Sequence, residues 1–246
     1  MAPRDVTAPP SEAARRLIQQ ARTERRHLLE PEAYLLLHAY NLPVPRHRFV
    51  RDAREAAAAG EAIGFPVALK VVSPDILHKS EAGGVRLDLR EPAAVRAAFE
   101  ETFASARAAR ADAGLVGALV VEMARPGTEV IVGMTRDPQF GATVMFGLGG
   151  IFVEVYRDVA FRIVPLAERD AREMIREVKG LAMLTGFRDR PPGDLEAIAQ
   201  ILLRVSRMAE DFPEIAEVDL NPIVIYERGG LLLDARVLLS LEEASA

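Results

Sequence analysis

Between Ala118 and Val164 the chain packs four apolar runs close together: Ala118 to Met123, Glu129 to Thr135, Ala142 to Phe146 and Phe161 to Val164. Turn signals at Pro126-Gly127 and Asp137-Pro138 separate the first three. A crossover between parallel strands consumes a dozen or more residues, so spacing this short favours antiparallel pairing. Helical patterns before and after these runs then place the chain in the α+β class.

Upstream, Ser11 to His27 reads as a charged amphipathic helix, and a second helix opens at Pro31, a residue tolerated in a first helical turn. Asn41 to Pro45 breaks it, and a short strand follows at Arg48 to Val50. Asp52 caps a third helix with Glu55 three residues later, and Gly64 ends that helix. An apolar strand, Pro66 to Val72, leads through a polar segment into Val85 to Leu89, which alternates as a half-buried strand does. A helix runs from Pro92 to about Arg110. Near the other end, helices are expected over Glu168 to Lys179 and Asp194 to Glu210, and strands over Glu217 to Tyr226 and Leu231 to Arg236. The composition shift at Gly114 to Gly117 suggests two lobes with a boundary near residue 115. The division is then an N-terminal tail and helix at 1–29, one lobe at 30–115 and a second at 116–246. No internal repeat is visible.

Composition narrows the function. The chain has 246 residues, half of them apolar, and a net charge of −5. It lacks the clustered Lys and Arg with which proteins meet phosphate backbones, which argues against nucleic acid as partner. The absence of cysteine removes disulfides, thiolate metal sites and thiol nucleophiles, and fits a reducing cytoplasm. Neither a secretory apolar core nor the roughly 20 apolar residues of a membrane-spanning helix is present, so a soluble, cytoplasmic protein is expected. Basic charge is almost wholly Arg, and the lysines are Lys70, Lys79 and Lys179. Arg does not replace a compact ammonium on a flexible stem, which makes Lys70 and Lys79 worth inspection.

Three segments carry candidate chemistry. Lys70 ends an apolar strand, and the loop from Ser73 through His78-Lys79 to Gly83-Gly84 follows it. Backbone N–H groups and an ammonium there can surround phosphates, although neither a P-loop nor a G-x-G-x-x-G fingerprint occurs; an ordinary hairpin loop with a solvated His and Lys fits the composition too. Phe146-Gly-Leu-Gly-Gly-Ile-Phe-Val-Glu154 offers glycines for close approach to a ligand, or for a plain tight turn. In the third segment Asp219, Asn221 and Asp234 can project from one face of two paired strands. Hard oxygen ligands of this kind suit magnesium, which leaves its other positions to water and phosphates.

Together the stretches Ala68-Leu69-Lys70 through His78-Lys79 to Gly83-Gly84-Val85, Phe146 to Glu154, and Asp219-Leu-Asn-Pro222 with Asp234 resemble the ATP-grasp subunit of ADP-forming acetyl-CoA and acyl-CoA synthetases. More distantly the chain is similar to the beta subunit of succinyl-CoA synthetase. The resemblance runs from about Glu30 to Leu239. It implies an ATP-grasp fold with ATP or ADP between two lobes, Lys70, Lys79, Gly83 and Gly84 around its phosphates, and Mg2+ held by Asn221 and Asp234 with Asp219 contributing. It also implies an adenine-side hinge at Glu122, Met123 and Ala124 and places Glu129 near the ribose; a core or solvated role fits Glu122 and Glu129 equally. His78 is implied to be a phosphohistidine that carries a phosphoryl group. Imidazole suits that task, because its neutral nitrogen is nucleophilic near neutral pH. His27 and His38 read instead as helix-surface or packing residues.

The implied reaction is acyl-CoA + ADP + phosphate ⇌ acid + CoA + ATP. Neither a CoA-binding Rossmann half nor a second phosphohistidine motif is recognisable. The expectation is therefore a nucleotide- and phosphate-binding subunit that works with a CoA-binding alpha subunit, as alpha2beta2. Two alternatives stay open: an ATP-grasp ligase that joins a carboxylate to an amine, and a nucleotide-binding regulatory module without turnover.

Overall fold

A computed structural model describes residues 11–76, 78–150, 158–187 and 191–241. The chain forms two compact units, one from Pro45 to Arg125, the other from the residues up to Val44 together with those from Pro126 onward.

The Pro45–Arg125 unit is a four-stranded antiparallel sheet carrying two helices. Its strands are β1 (His47–Val50), β2 (Val67–Val72), β3 (Val85–Leu89) and β4 (Gly117–Glu122), arranged β1-β4-β2-β3. The inner strands β2 and β4 are almost wholly buried, which explains their unbroken apolar sequences. Two helices that precede β1 belong to the other unit; the helices of this one are α3 (Ala53–Ile63) and α4 (Pro92–Ala109). The Asp52 carboxylate accepts the Glu55 N–H at 2.7 Å, while Glu55 reaches back to the N–H of Arg51 at 2.8 Å, so the reciprocal cap closes one residue earlier than the sequence pattern suggests. Gly64, at φ 94°, lets the chain leave α3. Val67, Leu69, Ala118 and Val120 pack with Val50, Ala56, Ala59 and Ile63 and with Val95 and Phe99 of α4. Because side chains alternate along a strand, Lys70 lies on the sheet face turned away from this core.

The other unit begins with α1 (Glu12–Thr23) and α2 (Glu30–Ala39) and continues with β5 (Thr128–Asp137), β6 (Gly141–Leu148), β7 (Val159–Ile163), α5 (Glu168–Glu177), a short α6 (Ala182–Thr185), α7 (Leu195–Asp211), β8 (Ile215–Ile225), β9 (Gly230–Leu232) and β10 (Ala235–Leu239). The antiparallel order is β10-β8-β5-β6-β7, with β9 also on β8. Val132, Met134, Val144, Phe146, Ala160, Val218 and Leu220 are buried on one face, the side taken by α5 and α7. The opposite face carries Glu217, Asp219, Gly133, Met145, Phe161 and Arg236 in register.

Two expectations are corrected. The boundary near residue 115 would cut β4 from its sheet, yet β4 pairs with β1 on one side and β2 on the other; the division falls after it. Nor do residues 30–44 belong with the lobe that follows them. The Leu28 N–H donates to Val237 O at 3.3 Å and the Leu239 N–H to His27 Nδ1 at 3.2 Å, and α2 packs on β10. Among the described residues no helix is long and apolar enough to cross a membrane.

Candidate functional site

In the Pro45–Arg125 unit, Lys70 is only 8% exposed, a buried ammonium on a central strand facing Leu119 and Val85 in register. Two residues beyond Val72 the chain enters the loop that bears His78, and both stems of that loop are fixed. On the first stem Ser73 Oγ accepts the Asp75 N–H at 3.1 Å, Asp75 Oδ2 accepts the Gly114 N–H at 2.7 Å, and the Arg110 guanidinium donates to the Asp75 carbonyl. Ile76 is buried with Val71 and Ala106. On the second stem the Gly84 carbonyl accepts from Val71 N–H at 2.8 Å, and the Gly84 N–H returns to Lys79 O at 2.7 Å. A side chain on Gly84 would lie 2.5 Å from Val71 Cγ1, so only glycine permits this closure. Gly83, at φ +65°, donates to Ser80 O at 3.2 Å. Between the stems His78 is exposed, with its carbonyl accepting the Ala82 N–H at 3.3 Å; Lys79 beside it is half-buried.

Glu122 closes β4, and its carboxylate is committed within the unit: it accepts from the Arg46 N–H at 2.7 Å and from Arg46 Nε at 2.8 Å. The Met123 N–H points to Pro66 O at 3.4 Å. Met123 and Ala124 are half-buried, directly before the chain passes to the other unit.

In that other unit Glu129 is exposed near the start of β5. The Gly149 N–H donates to its carbonyl at 2.8 Å, and a Cβ on Gly149 would approach Glu129 Cβ to 2.8 Å. The second glycine segment thus owes Gly149 to close packing on β5, and Gly150 to a φ of +63°; Ile151 to Glu154 of that motif lie outside the described residues.

Asn221 and Asp234 meet where the ladder is irregular. The β5–β8 register shifts between Val130 and Val132, where β8 spends an extra residue around Asn221-Pro222. This bulge coincides with the gap between β9 and β10 that holds Leu233 and Asp234, within a stretch whose sequence reads as continuous strand. Asn221 N–H donates to Asp234 O at 3.3 Å and Leu233 N–H to Pro222 O at 2.9 Å. Bulges re-aim side chains beside functional sites, and here one exposes Asn221 opposite Asp234. Asp219 shares their face but is 3.5 Å from the Arg236 guanidinium, which also holds Glu217 at 2.8 Å. The sequence reading passed over Arg236, and likewise the buried pair of α2: Glu30 is 5% exposed and Tyr34 0%. Tyr34 Oη donates to Glu30 Oε1 at 2.9 Å and lies 3.3 Å from Leu233 O. Burial first, then the nearby Glu30 and Asp234 carboxylates, push the Tyr34 hydroxyl well above the usual phenol range. An amide oxygen and a carboxylate at these adjoining backbone positions are ligand types that fit a hard divalent cation; among the described residues no group of three His, Asp or Glu side chains is gathered for one.

Comparison with known families matches residues 19–239 to the ATP-grasp domain. The beta subunit of acetate–CoA ligase (ADP-forming) I from Pyrococcus furiosus is 47% identical over 226 residues, spanning 92% of this chain and 97% of that one. This chain belongs to the ATP-grasp beta subunits of the ADP-forming acetate–CoA ligases. Among solved structures, a chain of acetyl-coenzyme A synthetase 1 from Ca. Korarchaeum cryptofilum, in complex with coenzyme A and Ca-AMPCP, superposes with a TM-score of 0.90 at 47% identity, covering 92% of this chain and all of that one. The same enzyme with coenzyme A and Mg-AMPPCP, described with its phosphohistidine segment pointing towards the nucleotide site, matches with a TM-score of 0.81 at 46% identity, again over 92% of this chain and the whole of its counterpart. As a member of these beta subunits the chain is the nucleotide-binding part of a ligase that forms a carbon–sulfur bond.

Proposed function

We propose that this chain transfers a phosphoryl group between His78 and ADP within an ADP-forming acyl-CoA synthetase, partnered by a CoA-binding alpha subunit as alpha2beta2 in the cytoplasm. The observation that carries the reading is an exposed histidine at the tip of a loop with both stems pinned. In the direction of ATP formation a neutral imidazole nitrogen of His78 forms an N–P bond to the acyl phosphate as its P–O bond breaks, and the carboxylate leaves. The N–P bond then breaks as a terminal oxygen of ADP takes the phosphorus, giving ATP and restoring the imidazole. Imidazole serves both as nucleophile and as leaving group in such transfers.

Lys70 places a positive charge where the transferred group gains negative charge, and its burial strengthens that interaction because water does not screen it. Lys79 adds positive charge towards the phosphates, while Gly83 and Gly84, whose N–H groups are taken up by Ser80 O and Lys79 O, shape the backbone beside them. Asn221 and Asp234 would hold Mg2+, which would neutralise phosphate charge and orient the nucleotide. Since Arg236 already engages the Asp219 carboxylate, Asp219 contributes as an outer carboxylate. With the Glu122 side chain occupied by Arg46, adenine contact at Glu122, Met123 and Ala124 falls to backbone groups; Glu129 is the ribose candidate.

The test is labelling. With γ-labelled ATP and magnesium, alone and with the alpha subunit, the chain should acquire label that is acid-labile and alkali-stable, and His78→Ala should abolish both the label and ATP synthesis while sparing Mg-ADP binding. ATP synthesis at near-normal rate by His78→Ala in the assembled enzyme would refute the relay.

A further inference from the structure

Contacts around the gap between β9 and β10 include Leu233 N–H to Pro222 O at 2.9 Å, Asn221 N–H to Asp234 O at 3.3 Å, and the Ala235 N–H to Asp234 Oδ1 at 3.1 Å. From the other side α2 and its following turn brace the same stretch. The Leu232 N–H donates to Pro43 O at 2.9 Å, and Tyr34 Oη reaches Leu233 O at 3.3 Å. The phenol proton lies between two acceptors, that carbonyl and the Glu30 carboxylate at 2.9 Å. A buried carboxylate is a poor source of stability, because its desolvation cost is offset only when its geometry is well satisfied. An apolar residue in place of Glu30, with Phe in place of Tyr34, would fill the core without that cost.

We propose that Tyr34, held by Glu30, is a positioning residue that sets Asp234 opposite Asn221 for metal binding. The inference rests on the reading of Asn221 and Asp234 as the magnesium ligands. Removing the hydroxyl takes away the donor that faces both the Glu30 carboxylate and the Leu233 carbonyl. The residue preceding Asp234 then shifts, and the ligand pair loosens. The nucleotide's contacts with Lys70 and the backbone do not depend on this hydroxyl.

The experiment titrates ADP calorimetrically into the full chain, over a range of magnesium concentrations and without divalent metal, for Tyr34→Phe, Glu30→Gln and Asp234→Asn, with thermal melting alongside. Tyr34→Phe should raise the magnesium concentration for half-maximal enhancement of ADP binding roughly five- to tenfold, the worth of one hydrogen bond, and leave metal-free ADP affinity unchanged. Glu30→Gln keeps an acceptor for the phenol and should move it in the same direction by about two- to threefold. If Asp234→Asn shifts the magnesium dependence while Tyr34→Phe and Glu30→Gln do not, the positioning role is wrong and the metal assignment stands. If Asp234→Asn has no effect, both fall. A Tyr34→Phe variant that loses metal-free and metal-dependent affinity equally, or only melts earlier, would make the pair purely structural and also overturn the proposal.

Discussion

The two carboxylates near Asn221, Asp219 and Asp234, are not equivalent. Asp219 stands across the ladder from Arg236, whereas Asp234 occupies the break in that ladder. Replacing Asp234 by Asn should therefore weaken magnesium-dependent ADP binding by tenfold or more, about 1.4 kcal/mol, and Asp219→Asn by clearly less; calorimetry that ranks them the other way would reverse the assignment. His27 belongs to the same neighbourhood. Partial burial, then the Arg236 guanidinium, hold its imidazole below the usual range, with Glu217 pulling the other way. A histidine depressed in the folded state binds fewer protons there than when unfolded, so its contribution falls as pH drops below the unfolded value near 6.5. Thermal midpoints should accordingly decline from about pH 7.5 to about pH 5.5 more steeply in the native chain than in His27→Asn. Parallel curves would show that His27 is not a source of that slope. Nothing in the sequence near His27 signals this, because its partner Leu239 lies at the far end of the chain.

Elements were legible wherever local chemistry decides them. Asp52 and Gly64 bracket α3, Pro92 opens α4, and the apolar runs of β2 and β4 mark central strands. The break between β9 and β10 was not legible, since Leu231 to Arg236 reads as continuous strand and the gap arises from the bulge opposite it. The short α6 was also missed; four residues hold too little periodicity to stand out. The site residues were named by their motifs, while their supports, Asp75, Arg110, Tyr34 and Arg236, become apparent only in three dimensions. The loop's closure gives the prediction at this scale. Gly84→Ala sets a methyl group against Val71 and the Lys79 carbonyl, at a cost of about 1–3 kcal/mol. It should sharply reduce phosphohistidine labelling even where a melting curve shows the chain folded. Full labelling would mean that His78 does not depend on the loop's second stem.

At the scale of the molecule each unit has its own core, and damage to one should be felt there first. Phe99 is buried against the helix–sheet core of Pro45–Arg125 and stacks on Phe103 with ring centroids 4.3 Å apart. Phe99→Ala should cost about 3–5 kcal/mol, and hydrogen exchange should accelerate in β2 and β4 well before β5 and β8. Uniform acceleration would show that the chain opens as one cooperative body. Composition does not mark the extents of the two units, because it changes before β4 although strand pairing continues through it.

The assembly of one unit from both sides of the other also imposes an order in time. All of Pro45–Arg125 has been synthesised once the chain is made to just past β4. Helix α2 must wait for β10, whose last residue, Leu239, is added long after Ala39. At roughly 5–20 residues per second, that interval lasts about 10–40 seconds. Throughout it α2, whose Leu36 and Leu37 are buried in the finished protein, lacks the strand it packs on. The apolar side chains of α2 are thus left without that cover for most of the time the chain takes to be made.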